Sequence, residues 1–505
     1  MKFKGLLTGA VATTAIAGLV VACGGDGNGL IEVTKGVVIQ NATVVNTRDG
    51  SLSAGSAVII DAGKIQSITT APIRVSGTAQ SVDGSGKFVV PGFLDMHTHA
   101  LGTLSTPPSD FPVLLANGIT GVREASGTPA LIQSARQQNA AVAAGTADAP
   151  EVLLVPSAIF AGQAATDAAA RQFVRDRKAE GADYIKMVGG NREAFLAVAD
   201  EAKKQGFHAA GHLTTVVSAL DASNGGYRSY EHLGAGMGLL MDCSSDEAAI
   251  RSAVLADPQP PAPNAVNPRL YDGNAYAKYY QRILDTYSDA KCQTLSQAFV
   301  KNDTWQAVTL IRLRTQDFGD SQVYRSDPNL QYVDKTRRAL WESIASQYAA
   351  NVTPAAKATL QQYYALQLKS VKLMKQNGVK VLAGSDLGGG LVIPGFSLHQ
   401  EFRELAAAQL SPLEILQSTT LNGAQFLGRE ATMGTVEPGK NADLVLLDAN
   451  PIADVANLDK ISAVFLKGKY YSRTALDNLL SGVSKAYAAQ AVRALNTALD
   501  PTHVD

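Results

Sequence analysis

His97 and His99 stand one residue apart at the end of the apolar run Val89-Val90-Pro91-Gly92-Phe93-Leu94-Asp95-Met96. On an extended strand, side chains at i and i+2 share a face, so both imidazoles can reach one metal ion. Imidazole suits zinc, iron, copper and nickel alike, and the pair by itself selects no metal. Two histidines at a strand end also need no metal at all. The pair gains meaning from later strand-like runs, which reach Lys186, His212, His232 and Asp386 in turn. The order His-x-His, Lys, His, His, Asp supplies imidazoles, an amine and a carboxylate, the donor and proton-handling groups of metal-assisted hydrolysis.

Six such groups need one frame to hold them. Between residues 92 and 426, strand candidates alternate with helical stretches, the pattern of a parallel α/β barrel. Strands are predicted at 93–97, 121–124, 152–156, 184–187, 208–211, 228–231, 305–310 and 379–383, and helices at 166–179, 191–204, 354–376 and 398–407. All six groups then fall at or just past C-terminal strand ends, where such barrels keep their active sites. Residues 36–91 and 427–474 read instead as short strands and turns.

In these residues and their order the chain resembles the amidohydrolase superfamily, in particular its imidazolonepropionase-like and prolidase-like metal-dependent hydrolases, over about residues 36–471. The resemblance implies an α/β fold: a TIM (β/α)8 barrel flanked by a small β-sandwich built from 36–91 and 427–474, with a helical tail at 475–505. It implies two divalent metal ions, usually zinc. His97 and His99 would bind the buried ion, His212 and His232 the exposed one, and a carbon dioxide-derived carbamate on Lys186 would bridge them. Asp386 would touch the buried ion and handle the proton. Such a carbamate offers two anionic oxygens, enough for two cations. Two metals lower the pKa of a shared water and polarise a carbonyl. A carboxylate can take that water's proton and return it to the leaving amine.

The activity implied is hydrolysis of an amide-type C–N bond in a small molecule, of dipeptide (prolidase-like) or aryl-amide type. Three other readings stay open. The same site could act on a lactone, carbamate, urea or aminated ring; the fold could serve a non-catalytic surface binding protein; or Lys186 could be an unmodified lysine beside a single metal. Two departures from the family pattern bear on substrate contacts: Arg123-Glu124-Ala125-Ser126 stands where many relatives have an Arg-Asp loop, and Tyr230 precedes Glu231-His232 where an aliphatic residue is common.

Around the six, Arg123 and Arg228 are candidates for a substrate carboxylate, which a guanidinium grips bidentately. Tyr227 and Tyr230 are candidates for a hydrogen bond to the tetrahedral oxyanion, and His399 for the pocket's border. His208 reads as a deeper core residue. Two long connections, about 234–302 and 314–351, lie on the active-site side and read as a lid over the substrate pocket, with plain surface insertions as the alternative. Cys243 and Cys292 are candidates for a disulfide that staples the first, with two separate buried thiols as the alternative.

The chain has 505 residues, 46% hydrophobic and 18% charged with a formal net charge of -1, which is the composition of a globular protein with no nucleic-acid partner. Lys2 and Lys4 precede an apolar run over 5–22, a secretory signal pattern with an uncleaved anchor as its alternative. Val20-Val21-Ala22-Cys23 resembles a bacterial lipobox, so cleavage before Cys23, lipidation of that cysteine and a flexible tether over 23–35 are expected. The enzyme would then be exported to the bacterial cell envelope and meet a membrane only through its lipid. Homo-oligomerisation is left open.

Overall fold

The computed structural model describes residues 29–105, 107–260 and 272–490. The expected signal segment, Cys23 and most of the tether lie outside these residues. Among the described residues, no helix is long and apolar enough to cross a membrane.

The N-terminal segment supplies β1 (Ile31–Val33), β2 (Val37–Val45), β3 (Leu52–Asp61), β4 (Lys64–Thr69), β5 (Ile73–Val75), β6 (Gln80–Asp83) and β7 (Phe88–Pro91). After it come the strands of the central region: β8 (Phe93–Thr98), β9 (Ile119–Glu124), β10 (Glu151–Leu154), β11 (Phe160–Ala161), β12 (Ile185–Gly189), β13 (Ala209–Gly211), β14 (Tyr227–Glu231), β15 (Trp305–Ala307) and β16 (Val381–Leu382). The C-terminal segment adds β17 (Leu444–Leu447), β18 (Ile461–Leu466) and β19 (Lys469–Ser472).

Both chain ends build one eight-stranded mixed sheet, ordered β19-β18-β17-β7-β2-β3-β4, with β6 also on β2. The join is antiparallel, with Val90 opposite Val445. Strand β3 is apolar without a break over Ala57-Val58-Ile59-Ile60 because both of its faces are covered. Val58 and Ile60 pack with Ile39, Ile65 and Phe465, whereas Ala57 and Ile59 pack with Val33 of β1 and Ile73 of β5. The composite of 36–91 and 427–474 is thus a sheet with a two-stranded parallel pair against one face, and β1 of that pair, Ile31–Val33, comes from the end of the expected tether, where pairing with β5 makes it a strand.

In the central region the strands are parallel, in a three-stranded sheet β10-β9-β8 and a six-stranded sheet β11-β12-β13-β14-β15-β16. Backbone bonds bridge the two sheets at both seams. Met96 N donates to Ala383 O (2.9 Å), Asp386 N to His97 O (2.9 Å) and His99 N to Leu387 O (2.6 Å), tying β8 to the segment after β16. On the other side Asp183 N donates to Val155 O (2.9 Å), and Val155 N returns to Asp183 Oδ2 (2.9 Å). Asp95 reinforces the first seam, because its carboxylate accepts from Ser385 N (2.9 Å) and Ser385 Oγ (2.6 Å).

Several boundaries move for local reasons. The helices Asp167–Ala179 and Arg192–Lys204 start one residue later than predicted because Thr166 and Asn191 are their N-caps, accepting from Ala169 N and Ala194 N. Strand β15 stops at Ala307 instead of residue 310. Thr309 takes a left-handed backbone (φ 45°) and the helix Leu310–Asp317 begins at once. Among the described residues, the first long connection holds four α-helices, Gly238–Asp242, Glu247–Leu255, Gly273–Thr286 and Asp289–Asn302, with a disulfide between Cys243 and Cys292. The second carries the helix Lys335–Asn351.

Glu401, in the helix Phe396–Ala407, holds the turn after β15 by accepting from Ile311 N (2.7 Å). Burial raises its carboxyl to about 8, against about 4.3 in an unfolded chain. The native state therefore binds this proton more tightly, and the Glu401 contribution is complete below the unfolded value and lost as pH rises toward 8. Glu401→Gln stays neutral. It is expected to raise the melting temperature at pH 8.5 by a few degrees more than at pH 5.5, about 1 °C for each kcal/mol recovered in a chain of this length. Equal shifts at both pH values would assign the effect to packing instead of charge.

Candidate metal centre

The six groups singled out by the sequence converge at the C-terminal ends of the parallel strands. His97 and His99 come from the end of β8, Lys186 from β12, His212 follows β13, His232 follows β14, and Asp386 follows β16. All six side chains are buried. The His97 ring lies 4.6 Å from that of His232 and 5.4 Å from that of His99, and His212 lies 5.1 Å from His232. Asp386 Oδ1 is 3.0 Å from His97 Nε2 and 3.3 Å from His99 Nε2.

Local backbone geometry makes this convergence. His232 and Asp386 both have left-handed backbones, with φ 54° and 58°, which aim their side chains inward just where each strand ends. Gly384 leaves room for His97, since a Cβ there would sit 2.9 Å from His97 Cβ. Ring orientation is set from outside. Ser126 Oγ meets His99 Nδ1 at 2.7 Å and Thr309 Oγ1 meets His232 Nδ1, which turns both Nε2 atoms toward the centre.

Electrostatics favour a cation at this point. Burial pushes His232 down to about 3, keeping it in the neutral form that can ligate. Burial also works to raise the Asp386 carboxyl, but His97 and His99, both close to Oδ1, outweigh it and hold it well below the usual carboxylate range. His97 Nε2, His232 Nε2 and Asp386 Oδ1 are buried and make no hydrogen bond. Such orphaned atoms are costly unless something positive satisfies them. Among the described residues, two overlapping groups could hold an ion: His97, His232 and Asp386, and His212, Glu231 and His232, each with its donor atoms within 4.8 Å of one another. A set of imidazoles and carboxylates fits zinc, manganese or cobalt.

The Amidohydrolase family matches residues 344–470. The chain carries an amidohydrolase-family segment. Of the six groups, that segment includes Asp386 alone. In overall structure the chain is similar to "AH, Bottromycin amidohydrolase" (TM-score 0.68, 21% identity, 92% of this chain and 91% of that one). It is also similar to a Xaa-Pro dipeptidase with bound methionine (TM-score 0.59, 17% identity, 87% and 100%). These likenesses establish a shared fold. Among curated proteins, an adenine deaminase of Listeria welshimeri is 36% identical over 86 residues, 17% of this chain and 14% of that protein. An imidazolonepropionase of Treponema denticola is 33% identical over 106 residues, 19% and 24%. The chain spans only a seventh to a quarter of the length of such relatives.

Sequence reasoning missed Glu231. Its Oε2 pairs with Lys186 Nζ, and its Oε1 lies 3.0 Å from Arg123 Nη2 and 3.4 Å from His97 Nδ1. Burial opposes its charge, yet His97, Lys186 and Arg123 together hold the carboxyl well below its usual range. The available signal was an acidic residue inside a buried strand, next to a candidate ligand. Alternation hides its direction, because Ala209 pairs with Tyr227 while Ala210 pairs with Ser229, and this extra residue in β14 resets the faces. Tyr227 and Tyr230 consequently stack on one side (ring centroids 5.0 Å apart) while Glu231 turns to Lys186.

The five candidates for substrate contact are all engaged elsewhere. Arg123 is fully buried, donating through Nε to Met96 O (2.6 Å) and through Nη2 to Glu231, so it braces the site from beneath. Arg228 bonds Asp303 O (2.6 Å) and packs against Trp305 and Phe426, below the centre. Tyr227 spends its hydroxyl on His212 O (2.9 Å) and Tyr230 on Ala219 O (2.6 Å), so neither faces an oxyanion. His399 Nε2 meets Asn117 O (2.9 Å) and Nδ1 meets Asp459 (2.9 Å), which places it against the C-terminal segment instead of the pocket. His208 packs on Phe426, and burial lowers it to about 4.

A cavity of about 410 Å³ opens beside the centre. Its wall is one face of the helix Lys335–Asn351, with Trp341, Ile344, Tyr348 and Asn351, and it reaches Leu391 and Arg312, whose Nε lies 3.2 Å from Asp386 Oδ2. Of the described residues of the first long connection, Asp272, Gly273 and Asn274 line it.

Proposed function

We propose that the chain is a metal-dependent amidohydrolase that cleaves an amide-type C–N bond of a small molecule, on a (β/α)8 barrel with two divalent ions. The observation that carries this reading is the buried convergence of His97, His99, His212 and His232 with Asp386 and Lys186 at the C-terminal strand ends. His97, His99 and Asp386 would hold one ion, His212 and His232 the other, and Lys186 as its carbamate would serve both. When bound, such ions lower the pKa of a water and polarise a carbonyl.

The protein's own part is to place groups and move a proton. Asp386 Oδ1 accepts a proton from the attacking water and returns it to the leaving nitrogen. Ser126 and Thr309 keep His99 and His232 turned inward while this happens. Arg123 and Glu231 fix Lys186 from below. From its N-terminal sequence we further place the enzyme in a bacterial cell envelope, tethered through Cys23.

Elemental analysis of protein lacking residues 1–23 tests the reading. About two zinc-like ions per chain are expected, with at least one lost in Lys186→Ala, together with turnover on a panel of dipeptides and aryl amides. An absence of bound metal after reconstitution with zinc and bicarbonate would overturn it. Turnover of esters or aminated rings, with amides untouched, would move the activity to another bond at the same centre.

A further inference from the structure

Among the described residues, the cavity beside the metal centre has a single basic side chain in its lining, Arg312, and that side chain is poorly partnered. Arg312 is 5% exposed, yet its guanidinium makes one ion pair, from Nε to Asp386 Oδ2 at 3.2 Å, and no hydrogen bond among the described residues. Its backbone is fixed, with Arg312 N donating to Thr309 O (2.9 Å) and the side chain lying against Gly389, where a Cβ would meet Arg312 Cδ at 2.6 Å. The other charged lining residue, Asp272, is committed to capping the helix Gly273–Thr286 through Asn274 N and Ala275 N. A buried guanidinium with open donors facing a cavity is a site for a planar anion, because carboxylates accept its paired N–H groups.

The structure assigns Arg312 as the reader of a substrate carboxylate, and the cavity as the pocket for an N-acyl amino acid or dipeptide with an aromatic side chain on the carboxylate-bearing residue. The proposal deepens the amide-hydrolysis reading and rests on it. Spacing selects the position of the anion. Arg312 touches Asp386, so a carboxylate at about 2.8 Å from the guanidinium edge lies one residue's reach from the bond being cut, as an α-carboxylate does. The body of the substrate would lie along Trp341, Ile344, Tyr348 and Leu391, an apolar and aromatic wall of the kind that receives a ring.

Two measurements on the metal-loaded protein test this: kcat/KM for N-acetyl-L-phenylalanine against N-acetylphenethylamine, which lacks only the carboxylate, and calorimetric binding of L-phenylalanine against phenethylamine. The wild type is expected to prefer each carboxylate by about 100-fold, with Arg312→Met collapsing both preferences toward unity and Arg312→Lys retaining part of them. Comparison within each variant cancels any general damage from losing the Asp386 contact. Hydrolysis of both amides without preference would overturn the assignment and leave the amidohydrolase reading standing. Arg312-dependent binding of phenylalanine without hydrolysis of either amide would keep the assignment and overturn that reading. No binding and no hydrolysis would overturn both.

Discussion

Asp386→Asn is expected to lower amide turnover by about 10³-fold, within the range that removal of a positioned proton carrier produces. Asparagine keeps one oxygen in place of Oδ1, so an acceptor toward His97 and His99 survives, but an amide oxygen cannot take the proton of an attacking water. The backbone of this residue is held independently of its side chain, by the bond from Asp386 N to His97 O (2.9 Å). The variant should therefore fold and keep most of its metal. Turnover and elemental content measured on the same preparation check this. A variant within tenfold of wild type would remove Asp386 from proton transfer, and a variant stripped of metal would make it a ligand alone.

The site was legible where a residue ends a strand and illegible where the backbone departs from regular alternation. His97, Lys186, His212 and Asp386 could be read from short, largely apolar runs that reach a polar group, because parallel strands buried on both faces are nearly continuous in hydrophobic text, whereas His232 follows the polar strand Tyr227–Glu231. Glu231 could not, since the extra residue between Tyr227 and Ser229 changes which side chains of β14 look inward. Arg312 was hidden by a strand drawn three residues too long: with Thr309 left-handed, residue 312 sits on a helix beside Asp386 and not past the end of a strand. Arg123, Arg228, Tyr227 and Tyr230 were over-read for a shared reason. A polar group in a buried strand must find a partner, and backbone carbonyls such as Met96 O, Asp303 O, His212 O and Ala219 O supply it more often than a substrate does. Pairing of the two chain ends was implied by the family resemblance, whereas the order of β7 against β17 depends on contacts across more than 350 residues that no local pattern encodes.

Glu231→Gln should be costly in two separable ways. Glu231 sits between two cations with no solvent access, Lys186 on Oε2 and Arg123 on Oε1. Neutralising it leaves both charges without their shared counter-ion, and breaking a buried pair of this kind costs about 3–5 kcal/mol. Part of the loss should return on adding metal and bicarbonate, because a carbamate on Lys186 removes one of the two positive charges and binds ions only in the folded state. Wild type gains from the same additions without needing them to offset a buried charge. The test is chemical denaturation of both proteins, with and without zinc and bicarbonate, alongside metal content. A larger stabilisation of Glu231→Gln than of wild type supports Lys186 as the modified residue that Glu231 positions. Equal stabilisation would make the Arg123, Glu231 and Lys186 cluster a structural brace whose lysine keeps its amine, and would move the site to the single-metal alternative.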